Sequence, residues 1–222
     1  MLVAWCFSGI VGFLIGVLAG IYKGGLFDKI IKIFCLALQS APTFWIGLLI
    51  LSLFSVYLGW FPIGFAVPMG KLSLEITIWD RIYHLILPAL TLSILGISRV
   101  TLFTRQKLIE ILNSDFILFA KARGENTRQL VIRHGLRNIA LPAITEQFAS
   151  FSELFGGIAL AETVFSYPGL GTATTAAGLN GDVPLLLGIA IFSAIFVFVG
   201  NFIANILYGV LDPRLKEGKY NG

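Results

Sequence analysis

The chain alternates long apolar runs with short polar breaks, and that alternation limits its fold more than any motif does. Residues 2–22 carry no charge over 21 positions, enough for one helix to cross a hydrocarbon core of about 30 Å. Comparable runs follow at about 33–58, 85–105, 139–165 and 185–211. Inside a bilayer every backbone N–H and C=O must be satisfied within the protein, which leaves helices as the spanning element for runs of this length. The expected fold class is therefore all-α and integral to the membrane: a polytopic helical bundle with five spans in one transmembrane domain over residues 1–222. With 57% hydrophobic and 13% charged residues and a mean hydropathy of +0.88, the composition excludes an ordinary soluble domain.

Each run has its own markers. Gly12, Gly16 and Gly20 repeat every four residues, a doubled GxxxG that lets another helix come close. A signal peptide competes for this first run, but no basic leader or small-residue cleavage site accompanies it. Gln39, Ser40 and Pro42 interrupt the second run; proline is tolerated there where neighbouring groups satisfy the freed carbonyl, so that face is expected to be buried in protein. Residues 59–81 read as a loop with Pro62, Pro68 and the acidic pair Glu75 and Asp80. Arg99 and Arg105 close the third run and are expected to snorkel to the cytoplasmic headgroups. Pro168 and Gly169 predict a type II turn after the fourth. Asn201 and Asn205, one helical turn apart, suit interhelical hydrogen bonding. Cys6 and Cys35 lie in apolar runs without metal-like spacing and read as inert buried thiols.

Charge sets the orientation. Thirteen of the sixteen lysines and arginines fall in the segments after the first run, around residues 105–137 and in the tail. Lys71 and Arg81 alone fall in the opposite loops. This asymmetry puts the C-terminus in the cytoplasm. Five spans then place the N-terminus outside, from which a preceding helix is inferred to be missing.

The longest polar interruption is 115–142, DFILFAKARGENTRQLVIRHGLRNIALP. Asp115–Arg123 predicts a short helix with Ala120 and Ala122 on part of its surface, ended by Gly124 at a position that tolerates positive φ. Asn126 with Gln129 three residues on predicts a capping box opening a second helix, which carries Arg128, Arg133 and Arg137 toward Ile139. Such a helix–glycine–helix elbow suits docking rather than chemistry. A plain basic loop explains its charge but not the alanine and glycine spacing.

Inside the fourth run, Glu146, Ser150 and Glu153 fall at i, i+4 and i+7 on one helical face. Ionisable groups at membrane depth point to a translocation path. Two blander readings stay open: Glu146 at the cytoplasmic interface, and a protonated Glu153 bonded to a neighbouring helix. His84 and His134 lie on opposite sides in this topology and make no metal site; His134 is expected to cap or pair within the elbow. The chain has no GxxxxGK[ST], HExxH or GxSxG, so no catalytic residue is assigned and any nucleotide must be held by another chain.

These residues carry a resemblance. Ala120-x-Ala122-x-Gly124, Arg133-His134, Leu136-Arg137-Asn138, Leu141-Pro142, Glu162-Thr-Val-Phe-Ser-Tyr-Pro-Gly-Leu-Gly171, Asp182-x-Pro184 and the Leu-Asp-Pro-Arg ending at Arg214 resemble the membrane permease subunits of bacterial ABC importers, in the dipeptide, oligopeptide and nickel permease family. The elbow resembles the family's EAA coupling loop. The resemblance implies a type I importer fold, with Asp115, Ala120, Ala122, Arg123, Gly124, Arg133, His134 and Arg137 in an ATPase-coupling loop at about 106–138. It implies two ATP-binding subunits, a second permease subunit and an extracellular substrate-binding lipoprotein as partners in the bacterial plasma membrane. It implies no cofactor in this chain, since ATP is bound by the partners, and no nucleic acid. Departures are Leu118 where the motif has its acidic residue, Asn205 in place of a usual Asp, and the absent first helix. Glu153 before Gly156-Gly157 resembles nickel-type members, which leans the expected cargo toward a metal or metal chelate over plain peptides. A self-contained secondary transporter is the alternative, although no repeat relates the two halves.

Overall fold

The computed structural model describes residues 1–72 and 74–211, with backbone alone for 151–156 and 208–211. Its elements are α1 (Leu2–Ile21), α2 (Leu26–Ser40), α3 (Thr43–Leu51, continued by a π-helical turn Ser52–Tyr57) and α4 (Ile78–Leu112). Next come α5 (Asp115–Ala122), α6 (Thr127–Gln129, running through a π-helical turn Leu130–Gly135 into α7), α7 (Leu136–Ala149), α8 (Phe151–Val164), α9 (Leu170–Asn180) and α10 (Val183–Leu211). No strand occurs among the described residues.

The centre is α4, which touches α1, α2, α3, α7 and α8. Its 35 residues make it about 52 Å long at 1.5 Å per residue. It begins well before the expected third run because Thr77 and Asp80 form a reciprocal capping box, with Thr77 N donating to Asp80 Oδ2 at 2.9 Å and Asp80 N to Thr77 Oγ1 at 3.2 Å. Asp80 is thus a helix-starting residue rather than part of a loop pair. At the other end the helix outlasts its apolar run, helped by Lys107 and Glu110 paired at 2.9 Å one turn apart.

Against α4 lies α1, along the stripe Ala4, Ser8, Gly12, Gly16 and Gly20, all buried. A methyl group on Gly12 would stand 2.9 Å from Ile97 O, and one on Gly16 2.7 Å from Thr101 O. The doubled GxxxG therefore has its partner, and backbone meets backbone. Thr101 Oγ1 donates to Gly12 O at 3.2 Å and Ser93 Oγ to Ala4 O at 3.3 Å. A reciprocal pair ties α1 to α7: Trp5 Nε1 donates to Gln147 O at 2.9 Å and Gln147 Nε2 to Trp5 O at 2.7 Å.

Among the described residues three helices are each long and apolar enough to cross a membrane: Leu2–Ile21, Ile78–Leu112 and Val183–Leu207. The expected second span is bent instead, since α2 and α3 meet at 108°. Pro42 is the cause: Ala41 takes ψ 137° and Pro42 ψ 140°, both extended, because a proline ring disfavours the helical region for the residue before it. Freed from a straight span, α2 packs as an amphipathic helix with Asp28 and Cys35 buried. Arg105 does not snorkel. Its Nε and Nη2 donate to the Asp28 carboxylate, Nη2 at 2.8 Å, and Gly24 N donates to the same group at 2.8 Å. Cys6 is exposed on α1, against expectation; Cys35 is buried.

The expected fourth run is divided at Ser150 into two 14-residue helices, neither long enough to cross alone. Ser150 has ψ −1°, and its Oγ donates to Gln147 O at 2.9 Å. The type II turn expected at Pro168-Gly169 is absent, for Gly169 has φ −146°. Instead α8 ends on Ser166 in the left-handed region (φ 46°). Tyr167 N donates to Glu162 O at 2.8 Å and Ser166 N to Thr163 O at 3.2 Å, a Schellman ending with serine in the usual glycine place. Glu162 then turns back to cap α9, accepting from Thr172 N at 2.9 Å. Side chains at Gly169 and Gly171 would run into the Glu162 carboxylate and Ala159, which accounts for both glycines of that motif.

Candidate functional site

The elbow leaves the end of α4 through Ser114, whose Oγ donates back to Ile111 O at 2.5 Å. Asp115 opens α5 in its first turn and Lys121 stands in its last, each with the sign that complements the helix dipole. The helix ends as the sequence suggests. Gly124 has φ 88°, Glu125 N donates to Ala120 O at 3.2 Å, and Gly124 N to Lys121 O at 2.9 Å, together a Schellman motif. Then Asn126 and Gln129 form the expected capping box, Gln129 N donating to Asn126 Oδ1 at 3.0 Å and Asn126 N to Gln129 Oε1 at 2.9 Å.

The two halves of the elbow close on a small core of Ile117, Ala120 and Leu130, all buried, with Ile111 and Leu112 against it. Ala120 is small because Leu130 packs on it, so it is not part of the free surface. His134 lies at 3.2 Å from the Glu125 carboxylate through Nε2 and meets the Phe116 ring edge-on at 6.4 Å, a pairing within the elbow. Ala122, Arg123, Gly124, Arg133 and Arg137 are exposed, as is Asp115.

What the residue pattern did not reveal is the outward face of α5. Phe116 is 48% exposed, Leu118 56% and Phe119 73%. Three large apolar side chains on an eight-residue helix that follows the polar end of α4 form a patch that water alone does not favour. One signal was available: Ile117 and Ala120 are three apart and share the inner face, which forces their neighbours outward.

The acidic stripe does not lie on one continuous helix. Glu146 is half-buried on α7, Ser150 occupies the break, and Glu153 belongs to α8. The Glu153 side chain lies outside the described residues.

Residues 12–217 match the family described as "Binding-protein-dependent transport system inner membrane component". The chain is 39% identical over 177 residues to the oligopeptide transport system permease protein AppB of Bacillus subtilis (strain 168), covering 80% of this chain and 55% of that protein. It is 35% identical over 231 aligned positions to the di/tripeptide transport system permease protein DppB of Pseudomonas aeruginosa (strain UCBPP-PA14), covering 97% of this chain and 69% of that one. The dipeptide transport system permease protein DppB of Escherichia coli (strain K12) is 32% identical, with the same coverages of 97% and 69%. The chain thus spans a little over half the length of the first relative. Among solved structures, a chain of the MetNI methionine ABC transporter, in a study of its inward-facing conformations, superposes with a TM-score of 0.66 at 17% identity, covering 95% of this chain and 93% of that one. That likeness shows the shared fold.

Proposed function

The chain belongs to the family of inner membrane components of binding-protein-dependent transport systems, and from that membership we propose that it is the permease subunit of an ATP-driven importer of peptides. The observation that carries the proposal is the outward face of α5: Phe116, Leu118 and Phe119 stand exposed at the polar end of the longest helix. An apolar patch there suits the groove of a cytoplasmic ATP-binding subunit. Asp115, Ala122, Arg123, Arg133 and Arg137 are exposed residues of the same elbow, Gly124 sets the angle between its two helices, and Ala120 and His134 hold them together. Because α5 hangs between α4 and α7, closing of a pair of ATP-binding subunits would pull on both helices at once.

In this reading residues 1–222 form one transmembrane domain, with α7 and α8 together making one crossing. A second permease subunit completes the path, and an extracellular lipoprotein delivers cargo. The C-terminus faces the cytoplasm of a bacterial cell, as the lysine and arginine distribution supports; residues 212–222 lie outside the described ones. Glu146, Ser150 and Glu153 are proposed for the path. The relatives are peptide permeases by name, which favours peptides over metal chelates as cargo.

Gentle-detergent purification from the native membrane with mass spectrometry tests the assembly. We expect an ATP-binding protein and a binding lipoprotein to co-purify, and Phe119→Ser to lose the former alone. Reconstituted vesicles then separate the energy sources. Uptake that needs ATP and ignores an ionophore supports the importer, whereas uptake abolished by the ionophore in the presence of ATP would establish a secondary transporter instead.

A further inference from the structure

The stretch that leads from α1 into α2 carries three lysines that no carboxylate pairs with. Lys23, Lys29 and Lys32 are exposed, and none forms an ion pair among the described residues. The one acid of the stretch, Asp28, is 2% exposed and accepts from Arg105 and from Gly24 N. Its charge is thus turned inward, and the outer side of α2 keeps a positive surplus.

The level of these lysines follows from what α2 packs on. Asp28, near its start, meets Arg105, seven residues before Leu112 at the end of α4. About two turns later Cys35 meets Ser98 and Thr101, deeper on α4. The helix therefore climbs inward from the boundary where the apolar run of α4 stops. The exposed rings of Tyr22 and Phe27 stand at that boundary, edge to face at 6.4 Å, as aromatic side chains at a membrane surface do. Lys29, Lys32 and Leu36 fall at i, i+3 and i+7 and share one flank. Ile33, 69% exposed, adjoins it, and Leu36 is 46% exposed. From Lys32 to Ser40 the helix advances at most about 12 Å, within one leaflet's half-thickness of about 15 Å.

This flank has cations at the water end and branched apolar side chains above them, the same order as a phospholipid with its phosphate at the boundary and its chains inward. Acyl chains of any lipid suit Ile33 and Leu36. The lysines select further, because a zwitterionic headgroup cancels its own phosphate while an anionic one leaves a net charge to meet them.

We propose that the outer flank of α2 binds an anionic phospholipid of the cytoplasmic leaflet, its phosphate held by Lys29 and Lys32 and its chains laid along Ile33 and Leu36. Lys23 adds to the local field. The inference goes beyond the importer reading and shares with it only the orientation that puts this end of the bundle in the cytoplasm. Since Asp28 and Arg105 tie α2 to α4, a lipid held here anchors the long helix in the headgroup plane.

The test uses the full chain, purified with the subunits that accompany it, in nanodiscs of equal parts phosphatidylglycerol and phosphatidylcholine. Native mass spectrometry reads the lipid that stays bound, and a photoactivatable phosphatidylglycerol reports where it sits. We expect phosphatidylglycerol to be retained over phosphatidylcholine and its label to fall on α2. Lys29→Gln and Lys32→Gln should each lower its retention about fivefold, the worth of one lysine at an anionic surface, while Lys29→Arg keeps it. Lys107→Gln removes the same charge from α4 and should leave retention nearly unchanged. Equal retention of the two lipids, an equal loss in Lys107→Gln, or crosslinking of Lys29 and Lys32 to a neighbouring subunit in place of lipid would overturn the proposal. Sidedness is read separately with a membrane-impermeant amine reagent outside intact cells, which should label Lys71 and spare Lys29 and Lys32. Labelling of Lys29 and Lys32 from outside would strike the orientation and the leaflet together, whereas correct sidedness without lipid preference strikes this proposal alone.

Discussion

Two turns at opposite ends of α4 use the same backbone solution for different ends. At the elbow Glu125 N reaches Ala120 O at 3.2 Å, and after α8 Tyr167 N reaches Glu162 O at 2.8 Å; each follows a residue in the left-handed region, Gly124 or Ser166. Their surroundings differ. A side chain at Gly124 would meet nothing within 4 Å, and the helix before it shows Phe119 to solvent. After α8 everything is closed: Phe165 is fully buried among Ile46, Ile50 and Leu87, the Glu162 carboxylate fills the space beside Gly169, and Gly171 rests on Ala159. Glycine answers to backbone conformation in the first turn and to close approach in the second. One turn is left open, for a partner to finish in the proposed importer; the other is finished by the chain itself.

That contrast can be broken from either side. The largest effect is expected from Gly171→Val, whose branched side chain must displace Ala159; overpacking of about 3 kcal/mol should lower the thermal midpoint of the purified chain in detergent by several degrees. Phe119→Ser should leave that midpoint unchanged while reducing ATP-driven uptake by about thirtyfold, the loss of an interface anchor worth roughly 2 kcal/mol. A midpoint shift as large as that of Gly171→Val would show the two turns to be alike. Gly124→Val places a β-branched residue at φ 88°, at a cost of about 1–2 kcal/mol, and should lower midpoint and uptake modestly together. Smallest is Ser166→Gly, which relieves left-handed strain and should raise the midpoint by the equivalent of about 0.5–1 kcal/mol.

Local signals that involve neighbours in sequence were legible. The Gly124 helix end, the Asn126–Gln129 box and the Gly12-Gly16-Gly20 stripe are short-range patterns, and each has its structural counterpart. Direction in space was not. Pro42 was visible, but whether a proline kinks a span or turns the chain through 108° depends on what α2 can bury, and Asp28 found Arg105 across 77 positions of sequence. The facing of α5 depends on Leu130, and the same short helix could have rolled its phenylalanines inward against another core. Serine at a left-handed helix end gives no signal at all, since the Pro-Gly beside it promises the commoner turn. The Thr77–Asp80 box was legible and was overshadowed by the prolines before it.

The contact of α1 with α4 has a mechanical consequence. Five small residues bring the two helices close along α1, with backbone against backbone at Gly12 and Gly16, which leaves little slack of side chains between them to absorb shear. The pair should behave as a single stiff rod anchored at the elbow. At about 52 Å, a tilt of roughly 6° at the docked end would sweep the far end through about 5 Å, the width of a peptide backbone. In the importer proposed above, a lever of that length would turn a small closure between two soluble subunits into a passage on the other side of the membrane.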